Sequence, residues 1–91
     1  MALYRVLVSS TFERQFRKLP AQGRVRIRKG LRRLEEDPFT PRPGTDIRKL
    51  EGTAPPKYRL RVGDWRAVYA VEGGEVRVIE VFRRERGYRG W

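Results

Sequence analysis

Cysteine and histidine are both missing from this chain, and methionine occurs once. Their absence excludes a disulfide scaffold, a thiolate or imidazole metal site, and any Ser-His or Cys-His nucleophile pair. Carboxylate-only binding of a hard cation stays open, but the acidic residues are scattered without ligand spacing. Long apolar runs are also lacking. No segment approaches the length of a membrane span, and MALYRVLVSS runs into a strand pattern rather than a signal peptide. The expectation is a soluble cytoplasmic protein without metal or small-molecule cofactor. Its 91 residues leave room for one core, so residues 1–91 are read as a single domain.

Positive charge is what the chain has in surplus. Twenty-two Lys plus Arg face eleven Asp plus Glu, giving a net charge of +11 and a pI near 11.2. Eighteen of the basic residues are arginine. A GC-rich genome or a hot habitat accounts for arginine over lysine, but not for the surplus itself. Such an excess repels itself and attracts nucleic acid or an acidic protein, so it constrains partners more than fold.

The apolar pattern gives the elements. Leu3–Val8 is a β-favouring first strand, halted by Ser9-Ser10. Ser10 and Glu13 have capping-box spacing, which predicts a helix start there. Phe12, Phe16 and Leu19 form one apolar stripe before Pro20. A second helix is predicted from about Ala21 to Glu36, with Ile27, Leu31 and Leu34 on its apolar face. Its other face carries Arg24, Arg26, Arg28, Lys29, Arg32 and Arg33, read position by position as the wet side of an amphipathic helix. Thr40-Pro41-Arg42-Pro43-Gly44 is a loop by composition, tied back to the core through Ile47 and Leu50. Strands follow from about Lys57, from Trp65, and over Val76–Phe82, with turns at Gly63-Asp64 and Glu72–Glu75. The expected class is α+β: an N-terminal strand, an αα-hairpin, then a three-strand antiparallel meander (β-α-α-β-β-β).

The chemistry-bearing stretch is Lys49–Tyr69, KLEGTAPPKYRLRVGDWRAVY. In a strand over Tyr58–Val62, Tyr58, Leu60 and Val62 point one way and Arg59 and Arg61 the other. Arg66 follows just beyond the turn. Guanidinium forks pair bidentately with phosphate oxygens, so this trio is a candidate phosphate grip; a solvated sheet face is the plain alternative. Arg83, Arg84, Arg86 and Tyr88 form a second basic group, in which the tyrosine is placed to stack on a base or move a proton. A frayed basic tail is the alternative there. Trp65, beside Arg66, is read first as a packing residue and second as a base-stacking platform.

The Leu-Glu-Gly, Tyr-Arg-x-Arg, Gly-Asp-aromatic-Arg-x-x-Tyr and Arg-x-Arg-x-Tyr strings are weak singly and specific together. With the element order, they make this chain resemble the RelE side of the RelE/ParE toxin superfamily. That resemblance implies the toxin of a toxin–antitoxin pair, cleaving mRNA in the ribosomal A site. The substrate 2′-hydroxyl attacks the adjacent phosphate, and no metal is needed. It further implies catalytic roles for Arg59, Arg61, Arg66, Arg84 and Tyr88, with Lys57, Trp65, Arg83 and Arg86 as substrate-binding residues. The implied partners are an acidic antitoxin, the ribosome and mRNA, with no membrane.

One departure bears on mechanism. Arg59 and Arg61 stand where the best-studied relative has lysines, and a lysine there is thought to help remove the 2′-hydroxyl proton. Arginine stays protonated at any working pH and is a poor general base. Lys57, a carboxylate such as Glu51 or Glu85, or a ribosomal group would have to serve. Two other functions compete: a ParE-like inhibitor of DNA gyrase, and a catalytically inactive module that binds RNA or antitoxin.

Overall fold

Ser9 closes the first strand by capping the first helix. Its Oγ accepts the Phe12 N–H at 3.0 Å and donates to the Ile79 carbonyl at 2.6 Å. The cap therefore falls one residue before Ser10, the expected position, because Ser9 alone has its hydroxyl directed at both the helix and the sheet. The computed structural model describes residues 3–87. Their order is β1 (Arg5–Val8), α1 (Ser10–Arg17), α2 (Ala21–Leu34), β2 (Asp46–Lys49), β3 (Tyr58–Val62), β4 (Trp65–Glu72), β5 (Glu75–Arg83) and a 3-10 turn at Arg84–Arg86.

The five strands form one sheet in the order β1-β5-β4-β3-β2, antiparallel except for the parallel β1–β5 pair. The helical hairpin lies on one face and carries the chain from one edge strand to the other. The class is the expected α+β, with one more strand than the sequence pattern announces. Asp46–Lys49, expected as anchored loop, pairs with β3 as an edge strand. Ile47 is its one core-facing apolar residue, so four residues with three charges give no alternating signal. Charge on the exposed positions suits an edge, where it discourages pairing with foreign strands.

Cross-strand register fixes which side chains share a face. Ile47, Leu60, Ala67 and Val81 make one row across β2, β3, β4 and β5 and point at the helices. Phe12, Leu19, Ile27 and Leu34 meet them from the helical side, all buried. Gly30 lets α2 settle close: a Cβ there would come within 2.9 Å of Leu60 Cδ2. The loop after α2 is held by the buried Tyr69 hydroxyl, which donates to the Pro38 carbonyl at 2.8 Å. The β3–β4 turn uses Gly63 at φ +58°, a left-handed conformation that glycine adopts freely.

Candidate active site

The face of the sheet turned away from the helices carries two cationic rows. One runs Arg48, Arg59, Val68, Glu80 and the next Asp46, Arg61, Arg66, Phe82, each residue directly opposite its neighbour on the adjacent strand. The strand alternation read from the sequence therefore holds: Arg59, Arg61 and Arg66 are brought together. They line an open groove of about 470 Å³ with Arg48, Lys49 and Glu51. Asp46, Arg48 and Lys49 join the site because β2 is a strand. Without that strand nothing in the sequence pattern places them beside Arg59.

Arg59 is the unusual member. Only 8% of the residue is exposed, yet its Nη1 makes no hydrogen bond among the described residues. Asp46 Oδ1 lies 3.3 Å away, close enough for charge pairing but out of line for a hydrogen bond. Asp46 also faces Arg61, at 3.9 Å from its other oxygen. One half-exposed carboxylate thus serves two guanidinium groups. A buried charged donor left unaligned is costly unless something else satisfies it.

Arg66 is fixed by its own turn, donating from Nη1 to the carbonyls of Gly63 and Trp65 at 3.0 Å each. Arg84 lies at the same turn. Its backbone N–H donates to the Asp64 carbonyl at 2.9 Å, and its Nε is 3.9 Å from Asp64 Oδ1. Arg86 caps the far end of the rows, paired with Glu80 at 3.0 Å and lying over the Phe82 ring at 4.6 Å. Phe82 sits opposite Arg66, so Arg86 shares this face.

Other expected contributors lie elsewhere. Trp65 points to the helical side, where it packs against the core and over Gly23, with the Arg83 guanidinium 5.0 Å from its ring. Alternation along β4 puts Trp65 and Arg66 on opposite faces, so Trp65 and Arg83 do not enter the groove. Lys57 is drawn away too, its Nζ donating to the Pro55 carbonyl at 3.0 Å. Tyr88 lies outside the described residues.

The carboxylates differ in commitment. Glu85 is held below the ordinary carboxylate range, first by its own backbone N–H and then by Arg83 and Arg84. It is ion-paired with both arginines. Glu51 lines the groove and makes no ion pair among the described residues. Chemically, the site offers several fixed guanidinium groups to an anion and one uncommitted carboxylate to a proton.

Residues 6–88 match the family described as the ParE toxin of type II toxin–antitoxin system, parDE. No curated protein sequence matches significantly. Among solved structures, a chain of the archaeal RelE–RelB complex from Pyrococcus horikoshii OT3 is 31% identical, with a TM-score of 0.79 over 93% of this chain and 99% of that one. A chain of the RelB–RelE antitoxin–toxin complex from Methanococcus jannaschii is 25% identical, with a TM-score of 0.75 over 93% and 98%. A chain of the RelBE2 complex from Mycobacterium tuberculosis, at 20% identity and a TM-score of 0.70 over 89% and 98%, shares the fold. The chain belongs to the RelE/ParE superfamily and is a toxin of a type II toxin–antitoxin system.

Proposed function

We propose that this toxin is a ribosome-dependent endoribonuclease that cuts mRNA in the A site in the cytoplasm and is restrained by an acidic antitoxin. The observation that carries this is the groove: Arg48, Arg59, Arg61 and Arg66 on one sheet face, with a buried Arg59 donor left unaligned. Fixed guanidinium groups around a phosphate stabilise the charge that builds up on its oxygens during displacement. The 2′-oxygen bonds to phosphorus as the bond to the 5′-oxygen breaks, leaving a cyclic phosphate. The hydroxyl proton passes to a base, and the departing oxygen takes a proton from an acid or solvent.

Glu51 is the base this groove supports. Lys57 is turned to Pro55, Glu85 is tied to two arginines, and a guanidinium offers no acceptor for a proton. The structural neighbours solved with RelB support the partner assignment. An acidic segment laid over the arginine rows would neutralise them and close the groove.

Primer extension on a message translated in a cell-free system tests the proposal. Wild-type protein should give stops within codons only when ribosomes are present. Arg66→Ala and Arg84→Ala should weaken those stops about a hundredfold, the usual scale for losing one charge-stabilising donor. A second reading has one specific support, since the matching family is described by its ParE members. Absence of stops from folded wild-type protein, together with inhibition of gyrase supercoiling, would favour it.

A further inference from the structure

Arg61 belongs to two grooves. Besides the active-site groove, it lines an open groove of about 560 Å³ where α2 passes over the start of β2 and the end of β3. Arg26, Lys29 and Arg33 on α2, Arg42 in the following loop, and Arg61 surround this second groove. The one carboxylate in its lining, Asp46, already faces Arg59 and Arg61. Arg26, Lys29 and Arg33 make no ion pair among the described residues. All three are exposed and stand on the same side of the groove.

The walls are shaped rather than incidental. Arg42 is pinned by three backbone carbonyls, those of Asp37, Thr40 and Arg33, at 3.1, 2.7 and 2.8 Å. Two glycines let guanidinium groups lie against backbone. Arg26 reaches within 2.9 Å of where a Gly63 Cβ would stand, and Arg33 within 3.5 Å of the corresponding point at Gly44. In the lining between them, Thr45 is 1% exposed and its Oγ1 has no hydrogen-bond partner among the described residues. A buried hydroxyl is normally satisfied, so an unpaired one in a cationic groove marks a place where a ligand oxygen belongs.

We infer that this groove is a second phosphate-binding site, holding the backbone of the same RNA strand that the active-site groove cuts. The inference rests on the nuclease proposal for the identity of the strand. Arg61 makes the two grooves continuous, so a strand leaving Arg59 and Arg66 passes directly to Arg26, Lys29 and Arg33. Arginine forks match successive phosphates, and contacts of this kind position a strand without reading its bases.

The test uses a short single-stranded RNA, 2′-O-methylated throughout and therefore uncleavable, with affinity measured by fluorescence anisotropy across a salt series. The K29A/R33A variant should lower the log–log salt slope by about 1.4, the value for two lost contacts to single-stranded phosphate. R14A/R17A, which removes the same charge from exposed positions on α1, should leave the slope near wild type. Thr45→Val should weaken binding about threefold to tenfold, the worth of one hydrogen bond, while its melting temperature stays level or rises. Equal slopes for the two double variants, or no change in either, would overturn the second site. So would loss of polyglutamate-peptide binding by K29A/R33A with RNA affinity unchanged, which would assign the groove to an acidic protein. Because this RNA cannot be cut, the binding result stands apart from the cleavage assay. A slope change without ribosomal cleavage keeps the groove and rejects the nuclease; cleavage with unchanged slopes does the reverse.

Discussion

Arg59 Nη1 stands 3.3 Å from Asp46 Oδ1 and donates no hydrogen bond to it. The guanidinium is more than nine-tenths buried, while its counter-ion is half exposed and shared with Arg61. A folded core would not select that arrangement for stability. Removing one partner of a buried pair is costly when the other charge is left buried, but Asp46 is half exposed and keeps Arg61. Arg59→Met should therefore hold stability within about 1 kcal/mol of wild type in urea unfolding. The same variant should lose about a hundredfold to a thousandfold in ribosomal cleavage. A loss of stability alongside the loss of cleavage would make Arg59 a structural residue and remove the argument from the groove.

Glu51 is the groove carboxylate with no cationic partner among the described residues. If it accepts the 2′-hydroxyl proton, Glu51→Gln keeps the shape and removes the base. The expected result is a fall in single-turnover cleavage of about a hundredfold or more, with antitoxin affinity and melting temperature unchanged. Cleavage by Glu51→Gln at the wild-type rate would place the proton with another group, the ribosome first among them.

The core and the arginine face were legible for the same reason. Alternation along Tyr58–Val62 assigns Leu60 to the helices and Arg59 and Arg61 to the other side without any knowledge of neighbours, and the sheet agrees. Gly63-Asp64 announced its own turn. What the sequence hid depends on partners distant in the chain. Asp46–Lys49 is a strand because β3 lies beside it, and four residues with one apolar position carry no periodic signal. Ser9 outranks Ser10 as a cap because the Ile79 carbonyl, seventy residues on, accepts a hydrogen bond from its hydroxyl. Trp65 adjoins Arg66 in sequence, yet the strand's alternation parts them, and proximity along the chain overstated its claim to the site. The pairing of Asp46 with two arginines is tertiary throughout.

Tyr69 ties the sheet to the loop that leads into β2. Its hydroxyl donates to the Pro38 carbonyl at 2.8 Å, and burial pushes the phenol well above its ordinary pKa, so it remains a donor across the working range. Tyr69→Phe leaves that carbonyl without its donor inside the protein. A cost of about 1–3 kcal/mol follows from the unmet acceptor. For a domain of this size each kilocalorie lowers the melting temperature by about 4–8 °C. Calorimetry of the two proteins measures this directly. An unchanged melting temperature would mean that water reaches the carbonyl and that the loop is not anchored there.

Asp37 opens the same loop and gives it a pH dependence. Its Oδ1 accepts the N–H groups of Phe39 and Thr40 at 2.9 and 3.1 Å. The Thr40 side chain, then these backbone bonds, hold its carboxyl below the ordinary value of 3.8. Because the folded value is the lower one, the unfolded chain takes up this proton first as pH falls. The stabilisation is complete above pH 3.8, declines as acid carries the carboxyl through its folded pKa, and vanishes below it. Other depressed carboxylates, Glu75 and Glu85, add to the acid slope of the wild type, so the difference from D37N is the informative quantity. The amide of D37N still accepts through its oxygen but does not titrate. Wild type should therefore be the more stable protein near neutrality, and the gap should close as the pH falls below 3.8. A gap that stays constant down to the acid limit would show that the Asp37 contribution is geometric rather than electrostatic.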